Sequence, residues 1–183
     1  NTVAELIAHL KKNPGKTSFA SSGNGSSDHL TSELFWQKSG TSGLHVPYKG
    51  GAPAMTDLLG GQTDVAFFNI NAALPYIKAG KLKVLAVTGE QRAAVLPKVP
   101  TLAEAGIAGV DIYSWQAIAA PKGLPKDVKA KLHGATVAAL NEPDIKAKFA
   151  TAGADVYSLG PVEFAAFVKK DNEKWAKLIK ERK

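Results

Sequence analysis

Short apolar runs rich in β-branched and aromatic residues alternate with helical patterns of about ten residues, which restricts this chain to few folds. Runs at 17–20, 44–48, 64–68 and 82–87 have the length and composition of strands. Between them, 28–39, 52–59 and 72–79 return to helical spacing. A helix precedes them all: Thr2 and Glu5 form a capping box, Leu6, Ile7 and Leu10 form its apolar stripe, and Asn13-Pro14-Gly15 stops it. Strands joined through helices this short pack as right-handed βαβ units in a mainly parallel sheet. The expected fold class is therefore α/β, a parallel sheet flanked by helices.

From Gln91 the pattern changes. Leu96-Pro97-Lys98-Val99-Pro100 reads as an extended connector, 101–105 as a short helix and 112–120 as one more strand. Three helices are then predicted at 126–140, 143–152 and 161–182, with a short strand at 155–158. On the last helix Phe164, Phe167, Val168, Trp175, Leu178 and Ile179 share one face, with charge opposite. That stripe needs a cover.

Cysteine is absent, so disulfide and thiolate chemistry are excluded. The formal charge of +7 raises the question of nucleic acid, but the lysines are dispersed, as at Lys126, Lys129, Lys131, Lys146 and Lys148. The densest run, 177–183, is broken by Glu181 and reads as a basic helix end. A nucleic-acid footprint would gather charge on one face, so no nucleic-acid partner is expected. No apolar run nears the roughly 20 residues of a membrane span. The chain opens without Met or leader, in an amphipathic helix, a start expected of a mature protein or of a fragment. His9, His29, His45 and His133 have no metal-ligand spacing, and no metal or cofactor is expected.

The segment Ser21-Ser22-Gly23-Asn24-Gly25-Ser26-Ser27-Asp28-His29 follows a strand and opens a helix. Backbone N–H groups and hydroxyls should converge there, at the positive end of the helix dipole, and favour an anion. The alternative is a Ser/Gly-rich connection with an N-cap serine. The phosphate-loop Lys-Ser/Thr is missing, and so is the third glycine of a dinucleotide fingerprint. A second segment, Tyr48-Lys49-Gly50-Gly51-Ala52-Pro53, again leads from a strand into a helix. Tyr48 and the Gly50-Gly51 amides either contact the same ligand, with Lys49 setting the local potential, or form a turn whose glycines permit positive φ. Asn69 either binds ligand or caps the next helix, the commoner role. Catalysis has little support: Gly-x-Ser-x-Gly does not occur, and a Ser27–His29 pair lacks a third group to orient the base. No catalytic residue is expected.

Several of these strings together resemble one family. Phe19-Ala20-Ser21-Ser22-Gly23-x-Gly25-Ser26-x-x-His29-Leu30 and His45-Val46-Pro47-Tyr48-Lys49-Gly50-Gly51-Ala52-Pro53-Ala54 look like two signatures of the Bug family. These are extracytoplasmic substrate-binding receptors of tripartite tricarboxylate transporters. Asp57-Leu58-Leu59-Gly60-Gly61-Gln62-x-Asp64-Val65, the run 82–88, Leu96-Pro97-x-Val99-Pro100-Thr101-x-Ala103-Glu104-Ala105-Gly106 and Ala120-Pro121-x-Gly123 continue the likeness. The resemblance implies a periplasmic-binding-protein type II-like fold, with two α/β lobes closing on a small carboxylate: a dicarboxylate, tricarboxylate, acidic amino acid or aromatic acid. It implies a periplasmic, non-enzymatic receptor working with the membrane components of the transporter. A sensing module for a signalling partner is the alternative, and a hydrolase a weaker one.

Family members carry an N-terminal portion, with a Pro-Gly-Gly-type ligand loop, that has no counterpart in this sequence. Residues 1–112 then correspond to the second, ligand-binding lobe, and 113–183 to the returning C-terminal part of an incomplete first lobe. Self-association through the uncovered first-lobe face is a further expectation. By the resemblance, Ser21, Ser22, Gly23, Gly25, Ser26 and Ser27 hold a ligand carboxylate. Tyr48, Lys49, Gly50 and Asn69 line the same side, and His29 either joins them or packs behind the loop.

Overall fold

The computed structural model describes residues 2–181. Its first helix, α1 (Val3–Lys12), carries the expected capping box: Thr2 Oγ1 accepts the Glu5 N–H at 3.1 Å, and Glu5 Oε2 accepts the Thr2 N–H at 2.9 Å. Val3 and Leu10 are its buried residues. Next come β1 (Ser18–Ser21), α2 (Ser27–Ser39), β2 (Leu44–Pro47), α3 (Gly51–Leu59), β3 (Val65–Ala66) and α4 (Ile70–Lys78). The strands form one parallel sheet of order β2-β1-β3, in which Phe19 stands opposite both His45 and Val65. This is the expected α/β arrangement, and it has a consequence for function. Because all three strands run the same way, the segments that follow them emerge at one end of the sheet.

The sheet is held by packing around its central strand. Phe19 is fully buried and meets Trp36 edge-on, with ring centroids 5.0 Å apart. Phe67 stacks on Phe19 and tilts against Phe35 at 5.6 Å. A buried aromatic of this size stabilises by about 1.5–3 kcal/mol. Helix α2 is buried beyond its apolar stripe. Thr31, Ser32 and Ser39 lie inside because each hydroxyl donates back to the carbonyl four residues earlier, those of Ser27, Asp28 and Phe35. Ser26 caps its start, and Gly40, at φ 63°, ends it.

Three predicted strands are not strands. In 82–87 Val87 makes an isolated bridge, its N–H donating to Pro100 O and its carbonyl accepting from Leu102, each at 2.9 Å, while the Leu82 N–H turns back to Tyr76 O at 3.2 Å. In 112–120 Ile112 is the residue whose backbone is tied among the described residues, to Thr88 through both backbone and hydroxyl. Residues 155–158 form no ladder. A β-prone sequence fits a pleated surface, but it becomes a strand only where a neighbour completes the hydrogen bonds. The predicted helix at 101–105 is a single turn closed by the Ala105 N–H on Thr101 O. Its capping box is complete, with Thr101 N–H donating to Glu104 and Glu104 N–H to Thr101. Gly106, at φ 90°, then turns the chain away.

The chain divides between Ser114 and Trp115 into two compact units. The second contains α5 (Lys126–Asn141), α6 (Pro143–Thr151) and α7 (Pro161–Glu181), close to the three predicted helices. Residue 182, the predicted end of the last helix, and most of the basic run's tail at 182–183 lie outside the described residues. On α7, Phe164 and Phe167 stack on each other and take the edge of Trp115, whose indole N–H donates to Asp171 at 3.2 Å. Leu178 is buried, but Phe167 and Ile179 remain 39% and 43% exposed.

Candidate ligand-binding site

The segments after β1, β2 and β3 are 22–26, 48–50 and 67–69, and they share the C-terminal edge of the sheet. In α/β sheets this edge is where ligands bind. The first two segments are tied directly: Tyr48 N–H donates to Ser21 O at 2.9 Å, and Gly50 N–H to Ser22 O at 3.0 Å. The approach is close enough that a Cβ on Gly23, itself at φ 142°, would lie 3.3 Å from the Tyr48 carbonyl. The open depression lined by Thr2, His9, Thr17, Asp64 and neighbouring residues involves the opposite strand ends, since Thr17 and Asp64 precede β1 and β3.

The loop is more self-bonded than its composition predicts. Ser22 N–H donates to Asp28 Oδ2 at 2.8 Å, Gly23 N–H to Ser21 Oγ at 3.3 Å, and Gly25 N–H to His29 Nδ1 at 3.0 Å. Ser26 N–H donates to Gly23 O, and Ser26 Oγ accepts the His29 N–H. The N–H groups of Asn24, Ser27 and Asp28 find no protein acceptor among the described residues. The expectation that all the loop's amides converge outward is thus corrected. The short Gly-rich turn folds back on itself, and the donors left over sit at its tip and at the first turn of α2.

Individual residues separate accordingly. Ser22, Gly23, Gly25, Ser26 and Ser27 line the loop, with Gly25 and Ser27 exposed and the Ser27 hydroxyl donating to Asp28 Oδ1 at 3.1 Å. Ser21 lies behind it, with no exposed surface and its Oγ 2.6 Å from His45 Nε2. His29 also sits behind, accepting the Gly25 N–H and stacking on His45. Tyr48 donates its hydroxyl to Asp57 at 2.8 Å, and this bond raises its pKa. Lys49 is exposed. Gly50, at φ 115°, is the N-cap of α3, and Asn69 the N-cap of α4. The Asn69 side chain makes no capping bond, so the commoner role expected for it is not the one adopted.

Three residues that sequence reasoning did not assign organise the site. Asp28 ties the loop to α2, Asp57 fixes the Tyr48 ring, and His45 supports Ser21. His45 is held below the usual histidine range, first by burial and then by the neighbouring His29 charge, with Glu33 opposing. An acid in a Ser-Ser-Asp helix start was a readable signal for Asp28, whereas nothing local marks the other two. The Ser21–His45 contact has the distance of a nucleophile–base pair, but Ser21 Oγ is enclosed. Ser27 is bonded to Asp28 rather than to His29, so the imagined Ser27–His29 pair is not assembled.

Residues 1–183 match a family model described as TctC, tripartite tricarboxylate transporter family receptor. The chain belongs to that family. Three solved structures share its fold. R. palustris Rpa4515 with adipate is 33% identical at a TM-score of 0.94, covering 98% of this chain and 60% of that one. The periplasmic binding protein BugD is 37% identical at 0.92, over 99% and 61%. MatC from Rhodopseudomonas palustris with bound malate is 28% identical at 0.91, over 98% and 62%. The likeness to Bug receptors read from the motifs is therefore established, as is the periplasmic-binding-protein fold. The chain spans about half the length, 54%, of the first curated relatives it matches. Among the described residues no helix is long and apolar enough to cross a membrane.

Proposed function

We propose that this TctC-family chain captures a small carboxylate in the periplasm for the membrane components of a tripartite transporter, without catalysing a reaction. The observation that carries this is the start of α2, where the Ser27 and Asp28 N–H groups lack protein acceptors on the sheet edge shared with Tyr48–Gly50 and Asn69. Such a helix end favours an anion, and uncharged Ser and Asn side chains add hydrogen bonds around it. Exposed Lys49 adds a positive potential. Ser22, Gly23, Gly25, Ser26 and Ser27 would take one carboxylate, and Tyr48, Lys49, Gly50 and Asn69 would line its surroundings. His29 and Ser21 would act from behind the loop.

Residues 1–112 would form the ligand-binding lobe and 113–183 the returning part of the other lobe. Adipate and malate, named with two structural neighbours, are both dicarboxylates and favour that class over tricarboxylates, acidic amino acids and aromatic acids. Enclosure of Ser21 and the diversion of Ser27 to Asp28 speak for binding rather than turnover. The test is a thermal-shift and calorimetry screen of such acids on the intact protein. A ligand at 100 times its Kd adds about 2.7 kcal/mol of stability, with ligand recovered unchanged. If no carboxylate shifts the melting temperature, or if the acid is consumed, the receptor reading fails.

A further inference from the structure

The two histidines beside the loop touch no ligand in the reading above, yet they hold much of its shape. Their rings lie nearly parallel, with centroids 3.8 Å apart and planes inclined by 7°. Nδ1 of His29 accepts the Gly25 N–H at 3.0 Å. Nε2 of His45 lies 2.6 Å from Ser21 Oγ, the same oxygen that accepts the Gly23 N–H. A backbone amide can only donate, so Nδ1 of His29 must present a lone pair and its ring proton sits on Nε2. That nitrogen faces Glu33 Oε1 at 3.7 Å. We propose that His29 and His45 are positioning residues for the ligand loop, and that they hold it only while the pair carries no extra proton. This rests on the reading of the loop as a carboxylate site.

A second proton on His29 must go to Nδ1, the atom that Gly25 needs as acceptor. Two donors then face each other and the bond is lost. Charge on both stacked rings adds repulsion at short range. Among the described residues the charged groups that bear on His45 of β2 are His29 and Glu33, both from α2. The Asp28 carboxylate is already bonded to Ser22 N–H and the Ser27 hydroxyl. Burial first, and then the neighbouring His29, lower the pKa of His45, while Glu33 opposes them. Acidification therefore unpins Gly25 and loosens the loop.

Calorimetry with adipate and with malate on the intact protein, from about pH 7.5 to about pH 5.5, tests this across the range where histidine titrates. The apparent Kd is expected to rise about tenfold per pH unit below the pair's pKa, because only the unprotonated form is competent. The histidine ring signals in NMR should move in step. In the double variant His29→Asn/His45→Gln, non-titrating amides stand near Nδ1 and Nε2, and the slope should flatten apart from the ligand's own titration, which both proteins share. His29→Phe keeps a stacked ring without an acceptor and should bind more weakly than the double variant at neutral pH. Identical profiles for the parent and the double variant overturn the proposal. If neither acid binds at any pH, the receptor reading fails on its own account, and Gly25 amide exchange decides this one. Protection of that amide, taken relative to the intrinsic exchange rate at each pH, that falls as the rings protonate supports it, and protection that stays constant overturns it.

Discussion

At the scale of single residues, Asp28 does most to fix the loop. It is only 7% exposed, and its two oxygens hold the Ser22 N–H and the Ser27 hydroxyl at the first turn of a helix, where negative charge is favoured. Asp28→Ala leaves the Ser22 amide without its partner and is expected to cost about 1–3 kcal/mol. Urea unfolding measures that, and Asp28→Asn, which keeps one acceptor oxygen, should lose less. Equal losses in both variants would mean that the carboxylate charge, not the hydrogen bond, supplies the stability. His45 makes a separate prediction. Its folded pKa lies below the ordinary value of about 6.5, so the unfolded chain binds the proton more tightly. Stability is then fully present above about pH 6.5 and declines as pH falls through the lower folded value. The melting temperature should drop over that window, and His45→Gln should remove part of the drop.

At the scale of elements, β1 packs against α2 through buried aromatic rings. Phe19 and Trp36 meet there, and Gly43, just before β2, leaves them room. A Cβ at Gly43 would stand 2.6 Å from Trp36 Cζ2 and 2.8 Å from Phe19 Cδ2, both on buried rings with nowhere to move. Gly43→Ala is expected to destabilise by about 1–3 kcal/mol by overpacking, seen as a lower urea midpoint at unchanged slope. Gly51→Ala, where a Cβ meets open space, is the matched control. The same elements show how far sequence reaches. The Thr2–Glu5 box, the end of α2 at Ser39 and the parallel pairing of β1, β2 and β3 follow from local signals and connection lengths, whereas the strand order does not. The runs 82–87 and 112–120 carry equally good strand signals, but a strand also needs a neighbour, and that is a property of the whole chain. The loop at Ser21–Ser27 was legible because glycines and serines between a strand and a helix have few other uses. Its wiring was not. Ser21 meets His45 across 24 positions and Tyr48 meets Asp57 across nine, pairings that only the sheet register and helix docking create.

At the scale of the whole molecule, the units differ in how they bury apolar surface. The first encloses Phe19, Leu34, Phe35, Trp36, Met55 and Leu74. In the second, Leu178 is the buried hydrophobic residue among those described, while Leu132 on α5, Phe149 on α6, and Val162, Phe167 and Ile179 on α7 are exposed. A unit of this size with so little enclosed surface needs a cover to be stable. Relatives have almost twice the length of this chain, since it spans 54% of them, so further chain is one source of cover and a second copy is the other. Hydrogen exchange on the isolated 183 residues separates these. Amides of α2 and β1 should be strongly protected at every concentration, because their core is internal to the first unit. Amides of α5, α6 and α7 should exchange quickly in dilute solution, and protection that grows with protein concentration identifies a second copy as the cover. Phe167→Asp, which places a charge on that face, should abolish the growth while leaving α2 protected. Equal protection of α7 and α2 at the lowest concentration would show that the second unit is stable without any partner.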